Sequence, residues 1–333
     1  MWYNMKPVKF HKSMPTLSVM LFACLIPIMI KSNEYYLHIY IICAINIILA
    51  SSLRAIASTG QMSIGQAGFM AIGAYASAIL TVKFHVPVFG AMVLGGLFAM
   101  AAAALIGYPL SRVKTIYFVM VTMFLGEIIR LVLFEWRNMT GGSTGMISIP
   151  RPEAFSVLGM IQIDFSDRFQ FCYLSLALMF TILLLLRNIE RSQLGKVFMA
   201  IGQEEALASS VGINVARQKV ILFSIGSFFT GFAGSLYAHY MTVLNPDSFG
   251  IFASLYILIY VIVGGRTFAG PIAGALVLTL VPELFGALKE YQPFVFVLVL
   301  FLVVFLLPGG LMELIERIQY RLKKKGKRGL FHA

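Results

Sequence analysis

The segment Gly202-Gln203-Glu204-Glu205-Ala206-Leu207-Ala208-Ser209-Ser210-Val211-Gly212-Ile213-Asn214 is a polar, small-residue interruption between two long apolar spans. It reads as a short helix in the aqueous phase between two membrane crossings, offered to a partner. Gly202 suits the N-cap, Glu204 and Glu205 lie in the first turn where carboxylates complement the helix dipole, and Gly212 suits the left-handed position past the C-terminus. The expected helix is about ten residues, roughly 15 Å long. Leu207 and Val211 fall one turn apart, while Ala206, Ser209 and Ser210 leave little bulk, so a groove on another protein could approach the backbone closely.

Composition places this segment in a membrane protein. The chain has 333 residues, 59% hydrophobic and only 12% charged, against about 25% charged in soluble proteins. Apolar stretches of about 20 residues, the length of a membrane span, recur throughout. Spans are expected near 15–30, 35–57, 62–82, 88–110, 116–135, 169–187, 219–241, 249–264, 271–288 and 292–308. This is an all-α, polytopic fold of about ten helices in one transmembrane domain covering 1–333. The net charge of +12 does not point to nucleic acid, because the basic residues sort by membrane side. With both termini inside, 19 of the 26 Lys and Arg fall on the inner side, Lys219 among them, as the positive-inside rule requires. A retained first span is favoured over a cleaved signal peptide. The three cysteines, Cys24, Cys43 and Cys172, sit in apolar spans and read as small buried hydrophobes.

Two breaks between spans are longer than the rest. Trp136 to Arg168 is expected outside as a compact loop whose turns are set by Thr140-Gly141-Gly142-Ser143-Thr144-Gly145 and Pro150-Arg151-Pro152. The inside loop 188–218 holds the short acidic helix. The tail 311–333 pairs one apolar helix face with a basic run and is expected to lie along the inner membrane surface.

Gly60 to Gly73 reads GQMSIGQAGFMAIG. Its glycines permit close helix packing. Packing does not require Gln61, Ser63 and Gln66, whose polar groups cost free energy in lipid unless they face a cavity or another protein group. A translocation path along Gly60, Gln61, Ser63, Gly65, Gln66, Gly68, Gly73 and Tyr75 is the functional expectation. A second cluster, Gly264 to Gly274, is expected to form a tight re-entry, with Arg266 at the inner face. Glu127 and Arg130, three apart on one span, read as a structural ion pair ahead of a substrate ligand. The sequence lacks the metalloprotease pattern H-E-x-x-H and the phosphate loop G-x-x-x-x-G-K-[ST]. No metal or cofactor site is expected, and ATP energy has to come from another subunit.

Taken together, these motifs resemble the membrane permeases of branched-chain amino-acid ABC importers, and specifically the longer M-type member of the H/M permease pair. The likeness runs from about Ala44 to Gly310. It rests on Thr59 to Phe69 followed by Ile72-Gly73-Ala74-Tyr75, Thr140 to Gly145, Glu204 to Asn214, and Val263-Gly264-Gly265 with Gly270-Pro271 and Gly274-Ala275. Gln66, where the family usually has histidine, and Arg266-Thr267-Phe268 depart from the pattern. Urea and amide importers share it. The resemblance implies a fold like the cobalamin-importer permeases, a second H-type permease subunit, two cytoplasmic ATP-binding subunits that hydrolyse ATP, and a secreted or periplasmic substrate-binding protein. It implies a multi-pass protein of the bacterial cytoplasmic (inner) membrane with both termini cytoplasmic. It also implies that Gln203, Glu204, Glu205, Ala206, Leu207, Ser209 and Gly212 belong to the segment that docks in an ATPase groove and transmits its motion. The rival reading is an ion-coupled secondary transporter or channel working through Glu127 and Glu283, which would need no partner.

Overall fold

The computed structural model describes residues 33–111, 113, 115–153, 155–157, 161–163, 165, 167–265 and 267–284, together with positions 27, 297–298, 300–301, 305 and 310–312. The elements are α1 Glu34–Ala57, α2 Gln66–Phe84, α3 Val88–Leu110, α4 Thr115–Glu135, the single turn α5 Arg137–Thr140, α6 Arg168–Arg191, α7 Gln193–Gln203, α8 Glu205–Ser210, α9 Val215–Met241, α10 Ile251–Gly264 and α11 Gly270–Leu284. Strands β1 Phe155–Val157 and β2 Ile161–Ile163 form a small antiparallel hairpin in which Phe155 pairs with Ile163. The hairpin is the one departure from an all-helical chain among the described residues.

Among the described residues, seven helices are long and apolar enough to cross a membrane: α1, α2, α3, α4, α6, α9, and α10 taken with the 3-10 turn Pro246–Phe249 before it; α11 is shorter. The expected spans at 15–30 and 292–308 and the tail 311–333 lie outside the described residues apart from isolated positions, as do Cys24 and Arg266. The chain separates into two compact units, 1–258 and 259–333.

In the first unit α9 is the hub. Lipid is as apolar as leucine, so membrane helices gain little from burial alone and associate through close packing and hydrogen bonds. Here glycine supplies the close packing. A Cβ on Gly73 of α2 would lie 2.0 Å from the Gly231 carbonyl oxygen of α9, and one on Gly234 would lie 2.0 Å from the Met70 carbonyl oxygen. On the α3 side, a Cβ on Gly95 would meet Ser235 Oγ at 2.4 Å and the Gly73 carbonyl oxygen at 2.6 Å. Ser235 ties the three together, its hydroxyl reaching the Gly73 carbonyl at 2.9 Å. Further along, Phe223 of α9 makes edge-to-face contacts with Phe69 of α2 and Phe118 of α4, centroids 5.3 and 5.5 Å apart, the geometry that aromatic quadrupoles favour. Cys43 and Cys172 are buried, as expected.

The span expected from 62 begins instead at Gln66. Gly60 turns the chain at φ +82, and Gln61 to Gly65 is irregular. Irregular backbone at membrane depth persists only where its polar groups are satisfied. Thr122 Oγ1 accepts from the Ile64 amide at 3.3 Å, Ser63 Oγ from Gly65 at 3.3 Å, and Ser254 Oγ from Ala67 at 3.0 Å. Hydroxyls from α4 and α10 thus cap the start of α2.

At the opposite end of α9, the Thr140 to Gly145 loop is knit to the chain leaving the helix. Met146 and Leu244 exchange backbone hydrogen bonds of 2.9 and 2.8 Å, and the Ile149 amide donates to the Thr242 carbonyl at 3.0 Å. His239, fully buried, lies 2.7 Å from the Pro150 carbonyl through Nδ1 and 2.8 Å from Ser77 Oγ through Nε2. A carbonyl only accepts, so Nδ1 carries the proton and Nε2 accepts from Ser77.

Gly73→Val should lower the unfolding free energy by at least about 3 kcal/mol, the upper end of overpacking costs, because the atoms it meets are backbone. Gly90→Ala, whose Cβ would find its nearest neighbour at 3.7 Å, should stay within about 1 kcal/mol of the parent. Thermal unfolding of the detergent-solubilised proteins measures both.

Candidate functional site

The loop between α6 and α9 is more helical than its composition suggests. α6 runs on to Arg191, and Ser192 caps α7 by accepting from the Gly195 amide at 3.3 Å. α7 continues through Gly202 to Gln203, so Gly202 is not an N-cap. Its absent side chain serves close approach instead: a Cβ there would sit 2.1 Å from the Ser58 carbonyl oxygen. The cap falls on Glu204, extended at φ −155 and ψ 109, and α8 has six residues rather than about ten.

The C-terminal end of α8 matches the reading from sequence. Gly212 adopts φ +85, with nothing near enough to obstruct a side chain. The Ile213 amide donates to the Ala208 carbonyl at 3.2 Å and the Gly212 amide to Ser209 at 3.0 Å, the paired bonds of a Schellman close. Asn214 then caps α9, its Oδ1 accepting from the Arg217 amide at 3.0 Å. Between these fixed ends α8 buries Ala208 and turns Leu207 and Val211 outward, 69% and 75% exposed. Ala206 and Ser209 are exposed beside them.

Four ion pairs locate the loop and the far end of the bundle. Arg54 in the last turn of α1 pairs with Glu190 of α6. Lys219 of α9, counted on the inner side, is buried and places Nζ 2.5 Å from Oε1 of Glu205. At the end opposite α8, Arg130 Nε donates to Glu127 at 2.8 Å and Arg130 Nη1 to Asp247 at 2.7 Å. Sequence spacing finds Glu127 with Arg130; Asp247, 117 residues away, carries no signal that links it to them.

The Gly60 to Tyr75 residues come together inside the subunit. Gln61, Ser63, Gln66 and Tyr75 are all buried, and Gly65 and Gly68 are pressed on the α4 backbone at Thr122 and Gly126. The glycines therefore act in packing, at 2.1 Å between a Gly65 Cβ and the Thr122 carbonyl oxygen. Thr230 Oγ1 lies 2.8 Å from Gln66 Oε1 and 3.0 Å from the Gly226 carbonyl. One hydroxyl proton cannot serve both acceptors; turning the Gln66 amide over gives Thr230 an N–H to accept and leaves its proton for Gly226. Gln61 Nε2 and the Tyr75 hydroxyl remain buried and unpartnered, the polar surplus that packing alone does not explain.

Residues 35–307 match the family described as branched-chain amino acid transport system / permease component. The chain is 32% identical over 305 residues, 86% of its own length and 71% of the relative's, to the high-affinity branched-chain amino acid transport system permease protein LivM of Escherichia coli strain K12. The LivM protein of Salmonella typhimurium matches to the same extent. The corresponding LivH protein of Escherichia coli strain K12 is 29% identical over 127 residues, covering 37% of this chain and 41% of the relative. No solved structure gives a significant match.

Gly212→Ala should cost about 1–2 kcal/mol through its left-handed backbone alone, equivalent to roughly 5–30-fold faster exchange at the Ile213 amide. Hydrogen-exchange mass spectrometry over 205–214 measures this, with the transmembrane helices unchanged.

Proposed function

Because the chain belongs to the branched-chain amino acid transport system permease family, we propose that it is one of two permease subunits of an ATP-driven importer of branched-chain amino acids. Its partners in this reading are an H-type permease, two cytoplasmic ATP-binding subunits and a substrate-binding protein outside. Both termini lie in the cytoplasm of a bacterial cell, and the chain performs no chemistry of its own. ATP-driven closure of the neighbouring subunits moves the Gln203 to Gly212 segment, and the attached spans switch a pathway along Gly60 to Tyr75 between outside and inside access.

The observation that carries this reading is α8. A six-residue helix is too short to be stable alone, yet it is capped at the C-terminal end, pinned at Glu205 and set to expose Leu207 and Val211. An apolar pair held in water on small-residue backbone is what a groove on another protein would receive. The ion-driven alternative finds less support, since Glu127 is held by Arg130 rather than left to bind an ion.

Proteoliposomes carrying the full set of subunits and the binding protein should accumulate labelled leucine, isoleucine or valine only when ATP is supplied. Vesicles with this chain alone should accumulate none. Accumulation by the chain alone would replace the reading with the ion-driven one, and ATP-dependent uptake of urea or an amide in place of leucine would change the cargo.

A further inference from the structure

Lys219 is a buried cation whose charge is answered by another element. It is the fifth residue of α9 and 4% exposed, while Glu205, its ion-pair partner, is half exposed as the first residue of α8. Among the described residues this is the one ion pair Lys219 makes. A desolvated ammonium is strongly disfavoured without a counter-charge, so the place of Glu205 is dictated by Lys219. α8 itself is too short to hold a position.

The attachments on the other side of Glu204 run first to α1 and α6. Gly202 of α7 seats on the Ser58 carbonyl just past α1, and Arg54 of α1 pairs with Glu190 of α6. α1 is in turn pressed on α9, where a Cβ on Gly226 would meet the Ile56 side chain at 2.4 Å, while α8 reaches α9 through Lys219. One extended residue, Glu204, separates α7 from α8. Beyond Lys219, α9 lies backbone-to-backbone on α2 at Gly73/Gly231 and Met70/Gly234, contacts with too little slack to absorb a displacement.

We propose that Lys219 is the positioning residue through which movement of α8 is passed to α9. This deepens the functional reading above and rests on it. The Lys219–Glu205 pair is then a strut under load during the transport cycle.

The test uses the complete transporter in proteoliposomes, with ATP hydrolysis and leucine uptake measured on one sample. Lys219→Met combined with Glu205→Gln removes both charges with little change of shape and leaves no buried charge unpaired, so the complex should assemble. Leucine transported per ATP hydrolysed should fall tenfold or more while hydrolysis continues. Exchanging the charges, Lys219→Glu with Glu205→Lys, should restore at least half of the parent ratio. A neutral pair with the parent ratio would overturn the proposal, as would an assembled charge exchange that restores nothing. Should the neutral pair fail to assemble, the exchange decides by the same criterion. A parent complex without ATP-dependent uptake would instead overturn the functional reading, and this inference with it.

Discussion

Backbone contact between α9 and its neighbours α2 and α3 is the constraint on which the rest of the first unit depends. Where a side chain on Gly73, Gly95 or Gly234 would come within 2.0–2.6 Å of atoms across the interface, the helices have no compressible layer between them. Such interfaces are held by dispersion and hydrogen bonding rather than by exclusion of water, and the Ser235 hydroxyl on the Gly73 carbonyl adds a direct tie. The consequence is mechanical. A displacement applied to α9 moves α2 and α3 with it, and α2 carries the polar residues through which a translocation path is proposed.

Charge reinforces that layout at the ends of the helices. An unpaired central charge costs about 2.5–3.5 kcal/mol in a membrane helix, and several of the pairs here bridge different elements. Arg54–Glu190 joins α1 to α6, Glu205–Lys219 joins α8 to α9, and Arg130 joins α4 to the turn before α10 through Asp247. Near the start of α2, where the backbone is irregular, single hydroxyls on Thr122 and Ser254 replace the helical hydrogen bonds that Ile64 and Ala67 lack. Neither arrangement requires a long polar stretch, so the spans stay apolar enough to remain in lipid.

Much of this was legible in the sequence, for identifiable reasons. Hydrophobic length located α1, α3, α4, α6 and α9, because span length is set by the bilayer and not by tertiary context. Gly212 was readable because its role is local, a left-handed residue closing one helix. Gly202 was misread by the same local logic: glycine before two acids suits an N-cap, but the position is decided by the Ser58 carbonyl, which approaches from a distant part of the chain. The start of α2 was misplaced because its caps come from Thr122 and from Ser254, 187 residues from Ala67. Lys219 entered the sequence reading only as an inner-side base, since a charge count carries no information about burial. Asp247 beside Arg130 had no sequence signature at all.

The central claim is that α8 travels with α9 and its close-packed neighbours. Spin-label distances test it most directly, in the complete transporter with labels at the exposed positions Val211, just past α8, and Leu105 of α3. Between the nucleotide-free and ATP-trapped states the account expects the Val211–Leu105 distance to hold. A shift in that distance would contradict it.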